Sequence, residues 1–214
     1  MSSNDVSHTH AARYWPWVLG RAVPAVVVAI VITFSLDHSA RLGFFSFGAL
    51  ALVGGAVLIA GAAAALGRGI LRSMFLLQGV VSVLLGAVAL IFPGAGVGLL
   101  LLLVGAWAAI TGFAELYSGL RSRGRIDSAK DWIFAGSLTV LLAIVALLIP
   151  SGFSQPFTGP DGVARELTSS VILVGVIGAY GAILGIYLVI AGLSLKWADR
   201  SVAATAAESD SHRA

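Results

Sequence analysis

Between residues 17 and 195 the chain carries six predominantly apolar runs, at about 17–36, 42–66, 73–92, 97–120, 132–149 and 169–195. A helix that crosses a bilayer needs roughly 20 such residues, at a rise of about 1.5 Å each. In hydrocarbon the backbone finds no water to bond, so each spanning segment must satisfy its own N–H and C=O groups as a helix. The runs therefore predict an all-α, polytopic membrane domain over 17–198, with tails at 1–16 and 199–214. Charge content excludes the soluble alternative. Only 11% of the 214 residues are charged, against roughly 25% in soluble domains, and so few cannot supply a polar skin for a chain this short. The mean hydropathy of +0.98 agrees.

The breaks between runs carry turn chemistry. Asp37, His38 and Ser39 separate the first two, Pro93 and Gly94 stop the third, and Pro150 ends the fifth. Proline lacks a donor and glycine loosens the backbone, so both end helices. The stretch Leu36 to Ala40 offers no small-x-small cleavage pattern, so the first run reads as an uncleaved anchor rather than a secretory signal. Residues 1–12 and 201–214 are polar or small and read as disordered.

Lysine and arginine fix the expected orientation. One side holds eleven: Arg13, Arg21, Arg68, Arg72, Arg121, Arg123, Arg125, Lys130, Lys196, Arg200 and Arg213; the other holds Arg41 and Arg165. The positive-inside rule then places both termini in the cytoplasm, and Trp15, Trp17, Trp132 and Trp197 fall at the same helix ends as an interfacial belt. Because the basic residues flank apolar runs, the pI near 9.7 reports membrane orientation and argues against nucleic acid as a partner. With no cysteine in the chain, thiolate catalysis and disulfides are excluded, and no redox compartment is defined. Among the outside loops only 151–168 is long, carrying Phe153, Pro156, Phe157, Pro160, Asp161, Arg165 and Glu166. It reads as a solvated loop with interfacial aromatics, or as a binding lid.

Placing Pro93 on Pro150 sets Gly79 on Gly136, Ser82 on Thr139, Gly86 on Ala143 and Ala89 on Ala146. The fourth and sixth runs align likewise, with Gly105 on Gly185 and Gly112 on Gly192, while Gly54 and Gly61 make the second run a weaker copy. The repeat predicts three tandem helical hairpins, each entering and leaving on the cytoplasmic side. Glycines recur every seven residues at Gly98, Gly105, Gly112 and Gly119, and at Gly178, Gly185 and Gly192. Seven residues is nearly two turns, so these form smooth strips that suit close helix packing. A glycine-lined conduit is the competing reading.

Polar residues inside the runs are few. Glu115 is a carboxylate in an apolar run, about 9 Å along the helix from Arg121. With Gln78, Ser82, Thr111 and Thr139 it defines a candidate polar cluster near the cytoplasmic side. Two roles stand open: interhelical hydrogen bonding, or a substrate or proton site. His38 reads as an exposed turn histidine, and His8, His10 and His212 fall in the tails. No spacing suggests a metal site, a nucleophilic triad or a phosphate loop. Neither cofactor nor catalytic residue is expected.

The pattern Gln78-Gly79 through Gly86 to Phe92-Pro93, then Gly105-Ala106-Trp107 through Gly112 to the basic cluster at Arg121, resembles the HdeD-type acid-resistance membrane proteins. The resemblance covers roughly residues 72–198. It implies a bacterial inner-membrane protein of short helical-hairpin repeats, linked to acid or envelope stress, and it supplies no catalytic residues. This chain departs from the pattern in lacking a proline at the end of the first run and in its longer last outside loop. The expected role is non-enzymatic. The rivals are a small-solute or proton transporter, and an accessory subunit that meets a membrane-protein partner, or a second copy, through a free glycine strip.

Overall fold

The computed structural model describes residues 14–126, 128–160, 162 and 164–211. The tail before Tyr14, Arg13, Arg213, the tail histidines and Asp161 of the sequence reading lie outside the described residues. Six helices are long and apolar enough to cross a membrane. They are α1 (Trp15–Phe34), α2 (Ala40–Ala65), α3 (Ile70–Ile91), α4 (Val97–Ser122), α5 (Ala129–Leu148) and α6 (Ser169–Ser211). A two-stranded antiparallel hairpin, β1 (Ser154–Thr158) and β2 (Ala164–Thr168), joins α5 to α6.

The helix ends follow from local chemistry. Pro16 opens α1, where its missing N–H costs no helical bond. Pro24 sits within the same helix without ending it. Before α2, the Asp37 carboxylate accepts from the Ser39 hydroxyl and the Ser39 amide, both at 2.8 Å. Those bonds, the side-chain one first, hold the Asp37 carboxyl below its ordinary range. Ser39 in turn caps α2 by accepting from the Leu42 amide at 3.4 Å. The tight turns before α4 and α5 pass through Gly96 (φ +85°) and Gly124 (φ +76°), a left-handed backbone that favours glycine.

Two segments differ from the sequence reading. The loop at 151–168 is mostly β-hairpin, pairing Ser154 with Thr168 through Thr158 with Ala164, and three of its five residue pairs are exposed on both sides. Outside a helix, backbone groups still need partners, and the two short strands supply them to each other. The C-terminal segment, read as disordered from 201, continues α6 as helix to Ser211. At 43 residues α6 is about 64 Å long, roughly twice the thickness of a hydrocarbon core.

Ser169 fixes the hairpin to the bundle. Its buried hydroxyl donates to the Pro150 carbonyl at 2.6 Å and accepts from the Phe153 amide at 3.1 Å. Replacing Ser169 with alanine leaves the Phe153 amide only its 3.2 Å bond to the Pro150 carbonyl. The expected cost is about 0.5–1.5 kcal/mol, read as faster amide exchange at Phe153 than in the parent, with the exchange of α2 and α4 unchanged.

Packing separates the helices into two sets. Half of the spanning windows of α2 and α6 and 44% of that of α4 are buried, against 39% in α1 and 33% in α3 and α5. The even-numbered helices form an inner group and the odd-numbered ones lie outside them, with exposed Val23, Leu84 and Leu147 facing where lipid would be. Each inner helix runs antiparallel to the outer helices beside it. As residue numbers rise on one helix they fall on the other, as from Gly48 beside Gly86 to Gly55 beside Gly79.

Glycine decides where backbones meet. A Cβ on Gly55 would stand 2.7 Å from the Gly79 carbonyl oxygen, and one on Gly112 would stand 2.8 Å from the Val140 nitrogen. Gly119 meets Ile133 in the same seam. Gly178, Gly185 and Gly192 meet Ile32, Val26 and Leu19 of α1. The three close seams are thus α2/α3, α4/α5 and α6/α1. Each joins an inner helix to the outer helix of the next unit, whereas the three tandem hairpins of the sequence reading pair α1/α2, α3/α4 and α5/α6. The physical reason lies in where the tightest glycines meet backbone: Gly55 and Gly79, Gly112 and Gly136, and Gly181 and Gly185 face across these seams, whereas Gly61 meets only the Trp17 side chain of the hairpin mate α1. Gly105 and Gly98 stand apart from this pattern. A Cβ on either would come no closer than 3.9 Å, to Ala146 and Ser151 respectively, which is ordinary contact.

Candidate functional site

Where the inner helices converge, a line of polar side chains runs inward from the face at which Tyr14 lies. Arg21 stands six residues into α1, about 9 Å along it. Its guanidinium donates to both carboxylate oxygens of Glu115 on α4, Nη1 to Oε1 at 2.6 Å and Nη2 to Oε2 at 3.0 Å. The Gln78 amide of α3 donates to the same Oε2 at 3.0 Å. Three helices are thereby tied to one carboxylate whose side chain is 2% exposed, with that of Arg21 at 13%. A fork-on-fork pair of this kind is the geometry that makes an ion pair tolerable at low dielectric.

The line continues toward the bundle centre. Ser82, about 18 Å along α3, donates to the Gln78 carbonyl at 2.8 Å and accepts from the Trp107 indole at 2.9 Å. Thr111 returns its hydroxyl to the Trp107 carbonyl at 2.6 Å. On the far side Thr139 of α5 bonds the Ala135 carbonyl at 2.8 Å and shares a 2.9 Å hydrogen bond with the Tyr180 hydroxyl of α6. Among the described residues no buried side-chain nitrogen or oxygen lacks a partner. Beyond Trp107 the core turns apolar: Phe47 meets its ring edge-on at 5.5 Å and Tyr180 at 6.0 Å, and Phe44, Leu100, Val104 and Val174 are fully buried above them.

The structure gathers Gln78, Ser82, Thr111, Glu115 and Thr139 around one cavity. Three further members lie outside the cluster expected from the sequence: Arg21, Trp107 and Tyr180. Arg21 was counted as a flanking cation, but it is turned inward as the partner of Glu115. The expected neighbour Arg121 instead donates to the Tyr117 hydroxyl at 3.4 Å. One signal for Arg21 existed, since it falls inside the run at 17–36 and a charge within a span is usually paired. Trp132 also departs from the interfacial belt. It is 4% exposed, packs edge-on against Tyr14 and Phe75, and donates to the Tyr14 hydroxyl at 3.0 Å.

A second polar group lies near the same face. The Tyr187 hydroxyl donates to Asp131 at 2.8 Å, its ring stacks on Phe134 at 4.0 Å, and Lys196 stands 4.9 Å over the Trp15 ring. Among the described residues no three His, Asp or Glu side chains come together as a metal site would require.

Six long apolar helices packed through glycine seams, with one ion pair buried among them, define a multi-pass helical membrane protein. Within it, residues 77–149 match the family described as a short repeat of unknown function (DUF308). The match spans about a third of the chain, from α3 through α5, and includes all five residues of the sequence-derived cluster. Arg21 and Tyr180, which complete the cluster, come from outside it. No curated protein and no solved structure matches the chain.

Proposed function

We propose that the chain is a non-enzymatic protein of a bacterial inner membrane, with both termini cytoplasmic, and that it serves acid or envelope stress physiology. The resemblance to HdeD-type proteins supports the role, and the lysine and arginine distribution supports the orientation. One observation carries the choice of a non-transporting, non-catalytic mode of action: Glu115 is held by both arms of Arg21 and by Gln78. A transport site must exchange partners during its cycle. Here the carboxylate is committed to joining α1, α3 and α4, and the cavity beside it, at ≈ 30 Å³, has room for water rather than a solute. The cluster is the latch that sets the bundle's shape. Any protein partner, or a second copy, meets the lipid-facing outer helices, because Gly185 is already used against Val26.

Survival of a deletion strain after acid exposure tests the role. The intact chain supplied in trans should restore survival, and a variant with Arg21 and Glu115 exchanged, which keeps the pair, should restore part of it. Wild-type survival of the deletion strain contradicts the stress role. A proton or solute flux in proteoliposomes that disappears with Glu115→Gln, in protein that still folds, would replace the latch with a transporter.

A further inference from the structure

Two cavities meet at Arg21. The larger, ≈ 30 Å³, holds the polar cluster. The smaller, ≈ 10 Å³, lies toward the Tyr14 face among Tyr14, Trp17, Gly61, Ala62, Leu66 and Phe75. Arg21 and Leu58 line both. A water needs about 10–15 Å³ of space for its centre and two to four polar partners. The larger cavity has room for one or two waters and is rich in such partners; the smaller is at the limit for one. Gly54 opens onto the larger, and a Cβ there would meet nothing within 4 Å. This glycine therefore leaves space rather than closing a seam, in contrast to its neighbour Gly55. Toward the other face the route stops, because Phe44, Leu100, Val104 and Val174 are fully buried and apolar.

We infer that the two cavities form a hydrated inlet, carrying water and the protons that water conducts from the Tyr14 face past Arg21 to Glu115, and closed at Trp107. The groups facing the carboxylate are Arg21 from α1, Gln78 from α3 and Thr111 on its own helix, with the hydroxyls of Tyr14 and Tyr180 further off. The cavity walls given by α2 and α5, Gly54, Leu58 and Thr139 among them, carry no titratable side chain. Glu115 thus communicates with solvent at one face of the bundle only. This holds whether or not the stress role does.

Hydrogen exchange at the Trp107 indole reads the inlet directly, in full-length protein labelled with 15N-tryptophan in lipid nanodiscs, the signal being assigned by Trp107→Phe. The indole is buried and bonded to Ser82, so it exchanges only if water reaches it. In the parent it should exchange about tenfold or more faster than the backbone amides of Leu100 to Val104. Gly54→Leu, which fills the larger cavity, and Ala62→Leu, which blocks the smaller, should each slow it about tenfold with helix content retained. Gly54→Ala adds one methyl group to open space and should give an intermediate rate if the larger substitutions fail to fold. An indole as protected as those amides, or a rate that ignores the Gly54 substitutions, overturns the inlet. Slowing by Gly54→Leu but not by a folded Ala62→Leu overturns its route from the Tyr14 face.

Discussion

Replacing Glu115 with alanine is expected to destabilise the bundle by about 3–5 kcal/mol, because Arg21 is left as a buried, unpaired cation. The cost arises from the stranded charge rather than from the attraction that is lost. Arg21→Met should therefore be nearly as harmful, stranding the carboxylate, while the double variant Arg21→Met/Glu115→Leu should recover most of the loss, since neither ion then remains to be desolvated. Gln78 sets the residual, as its amide loses its acceptor at 3.0 Å whenever Glu115 is replaced. Reversible unfolding in detergent or bicelles, run as a double-mutant cycle, measures the coupling. Additive effects of the two single substitutions contradict the latch.

Gly136→Ala should cost about 1–3 kcal/mol by overpacking, although alanine ordinarily favours a helix over glycine by about 1 kcal/mol. A Cβ at Gly136 would lie 2.7 Å from the Leu116 Cα, and a backbone atom cannot move aside as a side-chain tip can. The α4/α5 seam must open instead. Helix association in lipid depends on such close dispersion contact, since burial of apolar surface gives little drive there. Gly105→Ala provides the contrast. Its nearest neighbour would be the Ala146 Cβ at 3.9 Å, so the substitution should be neutral or stabilising. Thermal unfolding of the two variants side by side reads the difference, and equal midpoints would mean that the seam is not a close contact.

Much of the architecture is legible because solvent dictates it. Hydrocarbon demands long apolar helices, and Pro93, Pro150 and the Asp37–Ser39 turn mark their ends, so the six runs and the helices agree to within a few residues except at the C-terminus. The hairpin at 154–168 escaped because its ten strand residues include a proline and alternate only weakly, and because pairing across a turn leaves little trace in a solvated segment. Partner choice was legible only in part. Glycine strips announce that a backbone comes near, but not whose, and Gly185 faces α1 rather than its hairpin mate α5. The cluster shows the same limit. Gln78, Ser82, Thr111, Glu115 and Thr139 stand out as polar residues within spans, whereas Arg21, close to a helix start, looks like any flanking cation until α4 is placed beside α1. Trp107 and Tyr180 look like ordinary membrane aromatics until their polar atoms find Ser82 and Thr139.

Because the chain has no cysteine, single cysteines read the central arrangement without background. Gly94 and Gly152 lie in exposed connections at one face of the six-helix bundle, and Gly67 and Arg125 in exposed connections at the other. With cysteine at each in turn and a membrane-impermeant maleimide applied to intact cells, positions 94 and 152 should label, while 67 and 125 should label only after lysis. Labelling of all four in intact cells, or of one position from each pair, would contradict six helices crossing the bilayer in alternation.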